Sequence, residues 1–293
     1  MKKLTIVLCV VAAVMLFGCQ DTTAPIQTKV YSFEDSTAHA RMKFAAELPT
    51  GTEAVSKAIR EKLLDLIDDQ LGHIVSYEGE RQFDAYAGDR GDTEAFLKYY
   101  FGKSLDILAR DSDKDARDRE LYMTEDPEMD EQERAEVLSR MPGWEYEFGL
   151  TKEDDTPRYV VFHSQDYVYM GGAHGGVTGA GCLTFDKKSG RLIEEFLNED
   201  CVEDIQPLIR EGLVGYFSSE DGEVTEENLD DWLLLDDDLI PLPAWQPFPS
   251  KEGLVFTYQQ YEIAPYAAGM PSFVIPVEKL APYLTTEASD LLK

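Results

Sequence analysis

"PRYVVFHSQDYVYMGGAHGGVTGAGCLTFDKKSG", residues 157–190, sets two strand-forming runs on either side of a glycine-rich text. In the first run, Pro157 to Met170, Tyr167 and Tyr169 fall on one face and Val168 and Met170 on the other, which is the two-residue period of a β-strand. The second run, Val177 to Asp186, ends at "DKKSGR", where the chain turns again. Successive strands joined by so short a connection pair antiparallel. Trp144 to Leu150, just upstream, has the same character and supplies a further strand.

The connection itself, "YMGGAHGG" from Tyr169 to Gly176, has two readings. Glycine reaches positive φ without penalty, so the glycines make the turn and His174 is merely exposed at its tip. Alternatively, a loop of bare backbone, including Gly172, with one titratable aromatic side chain is a probe that enters a cleft on another molecule.

Downstream, Ile205, Leu208, Ile209 and Leu213 make the apolar side of a helix from about Asp204 to Phe217, with Pro207 in its first turn. An acidic stretch then leads into "PLPAWQPFP", which suits neither a helix nor a central strand. Gly253 to Ile263 reads as a strand, "APYAAGMP" as a loop, Ser272 to Ile275 as a strand and Pro276 to Leu284 as a short helix. Tyr258, Tyr261 and Tyr266 surround Pro265 and Gly269, and tyrosine offers contact area at small entropic cost. Tyr258 and Tyr261 read as half-buried strand residues, which leaves Tyr266, beside Pro265 in the loop, as the surface candidate.

Upstream, Val30 to Phe33 and Ala38 to Ala46 read as strands. Thr50 and Glu53 form a capping box before a helix whose stripe is Val55, Ile59, Leu63, Leu66 and Ile67, stopped by Gly72. A second helix begins near Asp92 or Thr93 and carries Phe96, Tyr99, Tyr100, Lys103 and Ile107 at three- and four-residue steps. In its charged continuation, Asp111, Asp113 and Asp115 match the opening of a calcium-binding EF-hand loop. Ala116 stands where that loop needs glycine and Tyr122 where it needs glutamate, so the stretch reads as a solvated helix face and no metal is expected. Residues 123–143 read as an irregular connection. The sum is an α+β fold: an antiparallel sheet with helices packed on one side, preceded by a strand and helix portion.

The 293-residue chain has 57 acidic against 27 basic side chains, a formal charge of −30. Such a field repels nucleic acid and attracts cationic proteins or divalent cations. Hydrophobic residues at 43% are ample for a core, so the acidity does not signal disorder. Lys2 and Lys3, the uncharged run Leu4 to Phe17, Gly18 and Cys19 have the layout of a secretory leader, and Leu16-Phe17-Gly18-Cys19 resembles the lipobox of bacterial lipoproteins. Ordinary cleavage near Gly18 is the alternative, and either way the mature protein is exported. The expected organisation is a leader over 1–18, lipidation at Cys19, a tether over 19–29, and folded regions over 30–143 and 144–293. Loss of Lys2 and Lys3 with the leader takes the charge from −30 to −32. Cys182 and Cys201 remain, either as a disulfide or as packed thiols.

Enzyme signatures are absent from the text. No serine sits in G-x-S-x-G, and His39, His73, His163 and His174 form no H-x-x-x-H pair. A thiol enzyme needs an electropositive pocket, which an acidic chain does not favour. A glycosidase pair hidden among the carboxylates stays open, because its spacing is set in three dimensions.

"GGAHGGVTGAGCLTFDKKSGRLIEEF" followed by "GLVFTYQQYEIAPYAAGMPSFVIPVEKLAPYL" resembles the DUF3298 domain, whose members include lysozyme-sensing anti-sigma factors and extracellular parts of some peptidoglycan deacetylases. The portion before it resembles the associated DUF4163-type region, and the likeness runs from about Val30 to Leu284. It implies a non-enzymatic ectodomain without cofactor. It also implies a lysozyme-like cationic partner, met through Gly172, His174, Pro265 and Tyr266. No cytoplasmic segment for a sigma factor and no membrane-spanning helix accompany it here, so the expectation is a lipid-anchored envelope protein that captures a cationic wall-active protein. A peptidoglycan- or glycan-binding accessory module is the other reading.

Overall fold

The computed structural model describes residues 24–76, 78–124, 129–140, 143–171, 175–221, 224–235 and 239–293. Five long strands make one sheet in the order of the chain: β1 (Thr28–Ser36), β2 (Ala40–Pro49), β3 (Trp144–Asp155), β4 (Tyr159–Tyr169) and β5 (Val177–Asp186). Neighbours are antiparallel except β2 and β3, which run parallel. A parallel pair needs a long crossover. Residues 50–143 supply it as α1 (Ala54–Gly72), α2 (Thr93–Thr124) and α3 (Glu131–Arg140). Because β2 and β3 pair, the residues on either side of position 143 share one sheet and one core.

That core lies between the sheet and the first two helices. Ile59, Leu63 and Ile67 of α1 and Phe96, Leu97 and Tyr100 of α2 pack on Met42, Phe44, Ala46 and Leu48 of β2. Across the sheet, Phe33, Phe44 and Phe148 stand in one row, with ring centroids 5.8 and 5.2 Å apart. The next residue in that row is Asp166 of β4. The opposite face is open over β1 to β3, where Lys43 pairs with Glu147 and Arg41 with Glu34.

A second core is built from shorter pieces: α4 (Gln206–Asp221), β6 (Phe248–Pro249), β7 (Leu254–Thr257), β8 (Ser272–Ile275), α5 (Val277–Leu280) and α6 (Thr286–Leu292). Ile205, Ile209, Leu213 and Phe217 face Leu254, Phe256, Ile263 and Ile275. The small sheet is antiparallel in the order β6, β7, β8.

Several expectations change. α1 starts as predicted, but Glu53 is its N-cap residue and makes no side-chain cap bond, because the Thr50 hydroxyl donates instead to the Gln27 carbonyl at 3.3 Å. Within 123–143, the run from Glu131 to Arg140 is helical and not irregular, as the Asp130 carboxylate accepts from the N–H groups of Gln132 and Glu133 and caps it. The strand expected over Gly253 to Ile263 stops at Thr257, since the chain turns through residues 258–262. The terminal helix α6 was not anticipated; Thr285 caps it, accepting from Ala288 N–H at 3.2 Å. Asp113 and Asp115 do lie on α2, where they meet His39 Nδ1 at 2.8 Å and accept from Trp144 Nε1 at 3.0 Å. Among the described residues, no helix is long and apolar enough to cross a membrane, and no cluster of His, Cys, Asp or Glu could hold a metal ion.

Candidate functional site

Strand β5 is the last of the large sheet, so its outer edge needs partners for its N–H and C=O groups. At its C-terminal end the returning chain provides them: Asp186 N–H donates to Arg191 O, and Ile193 N–H to Thr184 O, both at 2.9 Å. Nearer its N-terminal end two glutamine side chains stand in for a strand. Gln259 Oε1 accepts from Ala180 N–H and its Nε2 donates to Ala180 O, each at 2.8 Å, while Gln260 Oε1 accepts from Thr178 N–H at 2.8 Å. A primary amide carries both donor and acceptor, which is why it can copy a backbone pair.

This docking brings the two glycine- and tyrosine-rich texts together. The Tyr266 hydroxyl donates to the Gly176 carbonyl at 2.8 Å, and a Cβ on Gly175 would sit 2.7 Å from the same hydroxyl. The glycines of β5 and its approach serve close packing. A Cβ on Gly176 would enter the Tyr167 ring, one on Gly179 would meet the Asp166 carboxylate, and one on Gly181 would enter the Trp245 ring. Of the glycines described in 171–176, Gly171 has positive φ, at 77°. Gly172 and His174 lie outside the described residues, as does Cys19.

The tyrosine loop is fixed from behind. Pro265 is exposed and opens a single 3-10 turn over residues 266–268, closed by Ala268 N–H donating to Pro265 O at 2.8 Å. The Tyr216 hydroxyl of α4 donates to Ala268 O at 2.7 Å. Tyr266 is half-buried with its hydroxyl committed to Gly176. Tyr261, in contrast, is 59% exposed, with its ring 5.7 Å from that of Tyr266. Its backbone is left-handed at φ 67°, a conformation that costs a non-glycine residue about 1–2 kcal/mol. The turn is held there by Glu262, whose carboxylate accepts from Gln259 N–H at 2.6 Å and Ala244 N–H at 2.7 Å. The expectation that Tyr261 is a half-buried strand residue therefore fails. Tyr258 is fully buried, and its hydroxyl donates to Pro241 O at 2.8 Å.

Two perturbed groups lie nearby. Asp166 ends the phenylalanine row, and burial pushes its carboxyl up to about 6. Cys182 and His163 are cross-strand neighbours on β5 and β4, an arrangement that invites a thiol-enzyme reading. Burial, with Glu153 adding to it, pushes the Cys182 thiol up to about 12, so it stays protonated and a poor nucleophile. Cys182 and Cys201 are both free and both buried, Cys201 within the second core. They are packed thiols and not a disulfide. What the junction offers chemically is an aromatic surface with hydrogen-bonding capacity.

Sequence reasoning did not assign Gln259, Gln260 or Trp245 to this junction. The signal was present as an unusual "QQ" directly after a strand text and a tryptophan among prolines.

Residues 194–278 match the family described as "Protein of unknown function (DUF3298)". That span runs from before α4 through β8 and includes Gln259 to Tyr266; residues 171–176 fall outside it. No curated protein matches the chain. Among solved structures, a DUF3298 family member from Bacteroides fragilis is similar over 92% of this chain and 99% of its own, with 17% identity and a TM-score of 0.56. A DUF3298 family protein from Pseudomonas aeruginosa is similar over 90% and 97%, with 12% identity and a TM-score of 0.53. At such identities the likeness speaks for the fold alone, and it extends well beyond the matched segment. Residues 194–278 are thus similar to the DUF3298 family, within a fold that resembles those of DUF3298 structures along most of the chain's length.

Proposed function

We propose that this chain is an exported, lipid-anchored envelope protein that captures a cationic wall-active protein, such as a lysozyme, without transforming it. The observation that carries the reading is the hydrogen bond from Tyr266 to Gly176, which joins two segments distant in sequence into one aromatic face. On this reading Pro265, Tyr266 and the neighbouring Tyr261 contact the partner together with the 171–176 connection, including Gly172 and His174. Residues 30–143 are read as a DUF4163-type region that supports the face. The charge, −32 once the leader with Lys2 and Lys3 is lost, steers a basic protein toward it and speeds encounter. Rigid tyrosine side chains then supply contact area at little entropic cost.

Calorimetric titration with a C-type lysozyme tests this. Binding at low salt that weakens as salt is added is the expected result, and no heat at low salt with any C-type lysozyme rejects the partner. A second reading has its own support, since the exposed Tyr261 ring beside Tyr266 is a platform on which a sugar could stack. Retention on purified peptidoglycan that is indifferent to moderate salt would favour that glycan-binding reading.

A further inference from the structure

The chain is clamped at Ile26, and the clamp is largely buried. Ile26 N–H donates to Asp155 Oδ2 at 2.8 Å, and Lys152 Nζ donates to Ile26 O at 2.8 Å while lying 3.1 Å from the same carboxylate oxygen. The other oxygen, Asp155 Oδ1, accepts from Lys187 Nζ at 2.5 Å; that lysine side chain is 1% exposed and also donates to Thr156 O at 2.8 Å. Next to the clamp, Thr50 N–H donates to Gln27 O at 2.9 Å. Burying such a cluster of ions costs desolvation free energy, so its value lies in fixing a position more than in adding stability. The position it fixes is the point where the N-terminal segment enters the fold.

That point lies at one pole of the large sheet. Thr28, Pro49, Asp155, Tyr159 and Asp186 are the strand ends at this pole. Ser36, Ala40, Trp144, Tyr169 and Val177 are the ends at the other, where Tyr266 meets Gly176. From Tyr159 to Tyr169, β4 spans about 33 Å at the usual rise. Seven steps from Cys19 to Ile26 reach at most about 25 Å when fully extended. The tether is therefore shorter than the sheet.

We infer that the pole formed by the 152–159 hairpin and the 186–191 turn faces the phospholipid surface, and that the aromatic face at the other pole is carried away from it. The inference rests on the reading that Cys19 bears the lipid. Charge agrees with it: this pole exposes Lys57, Lys62, Arg158, Lys188 and Arg191 among Glu53, Glu153, Glu194, Glu195, Glu287 and Asp290. That near-balance repels anionic headgroups less than the remainder of a chain with 57 acids and 27 bases does.

The acylated protein reconstituted into vesicles of phosphatidylethanolamine and phosphatidylglycerol provides the test. A donor dye is attached at Lys188→Cys or at Ser36→Cys, both exposed sites at opposite poles, and energy transfer to a headgroup-labelled lipid is read. The native Cys182 and Cys201 are buried and do not compete for the dye. Transfer several-fold stronger from position 188 than from position 36, with the difference shrinking when residues 20–25 are duplicated to lengthen the tether, is the expected result. Equal transfer, or stronger transfer from position 36, overturns the orientation while leaving the anchor intact. Mass spectrometry of the N-terminal peptide decides the anchor separately, and an unmodified Cys19 removes both.

Discussion

The two cores of this molecule are built from opposite materials. The first rests on strands of nine to twelve residues with regular alternation, whose buried face reads Met42, Phe44, Ala46 and Leu48 along β2. The second rests on strands of two and four residues, and its large aromatic groups come from turns as often as from strands. The long-stranded region presents an edge, and the short-stranded region covers that edge with side chains: Gln259, Gln260 and Trp245. A region that cannot offer a strand offers amides. The candidate binding face arises where these two materials meet, and the DUF3298 match covers only the short-stranded one of the pair.

The strongest way to break this comparison is to empty one core and watch the other. Phe256→Ala, in the second core, should cost about 3–5 kcal/mol. Because the two cores contain separate buried clusters, urea titration should then show residues 192–293 unfolding before the large sheet, with Trp232 and Trp144 fluorescence reporting different midpoints. A single shared midpoint would show that the cores fold as one unit. Gly181→Val attacks the seam instead of a core. Its side chain would occupy the space of the Trp245 ring, so a loss of about 1–3 kcal/mol and increased exposure of Trp245 to a fluorescence quencher are expected.

Asp166 gives a pH-dependent version of the same test. Its carboxyl titrates near 6 in the fold against an ordinary value of 3.8, so the folded state binds the proton more tightly than the unfolded state does. Its contribution is therefore complete below about pH 4, is lost as pH rises toward 6 and stays lost above that. Asp166→Asn should remove this dependence and stabilise the protein at pH 7 by about 1–2 kcal/mol, allowing for partial exposure. Denaturation midpoints of both proteins at pH 4 and pH 7 check it, and an equal difference at the two pH values would contradict it. The smallest effect belongs to the edge. Gln259→Ala removes two hydrogen bonds to Ala180 and should cost about 1 kcal/mol, visible as faster amide exchange at Ala180.

What could be read from the text follows the same division. The helices and long strands were legible because alternation and the 3.6-residue stripe act locally, as with Ile59, Leu63 and Ile67. The parallel pairing of β2 with β3 was not, since nothing near either strand in sequence announces a partner 100 residues away. Tyr261 was misread because its exposure depends on a left-handed backbone imposed by Glu262, and periodicity carries no information on that. Tyr266 was singled out for its place in a loop, yet its hydroxyl bond to Gly176 depends on the glutamine docking six and seven residues earlier. The glycines of 171–176 signalled a turn, whereas Gly176, like Gly179 and Gly181 in β5, leaves room for neighbouring side chains. A sequence names such glycines but not what leans on them.

On the proposed function, capture occurs where the two regions meet. Hydrogen–deuterium exchange of the chain with and without saturating C-type lysozyme tests it most directly. Protection confined to residues 175–180 and 259–269, with the open face of β1 to β3 unchanged, is the predicted result. Protection on that open face, or on α1 and α2, with the junction unaffected would contradict the account.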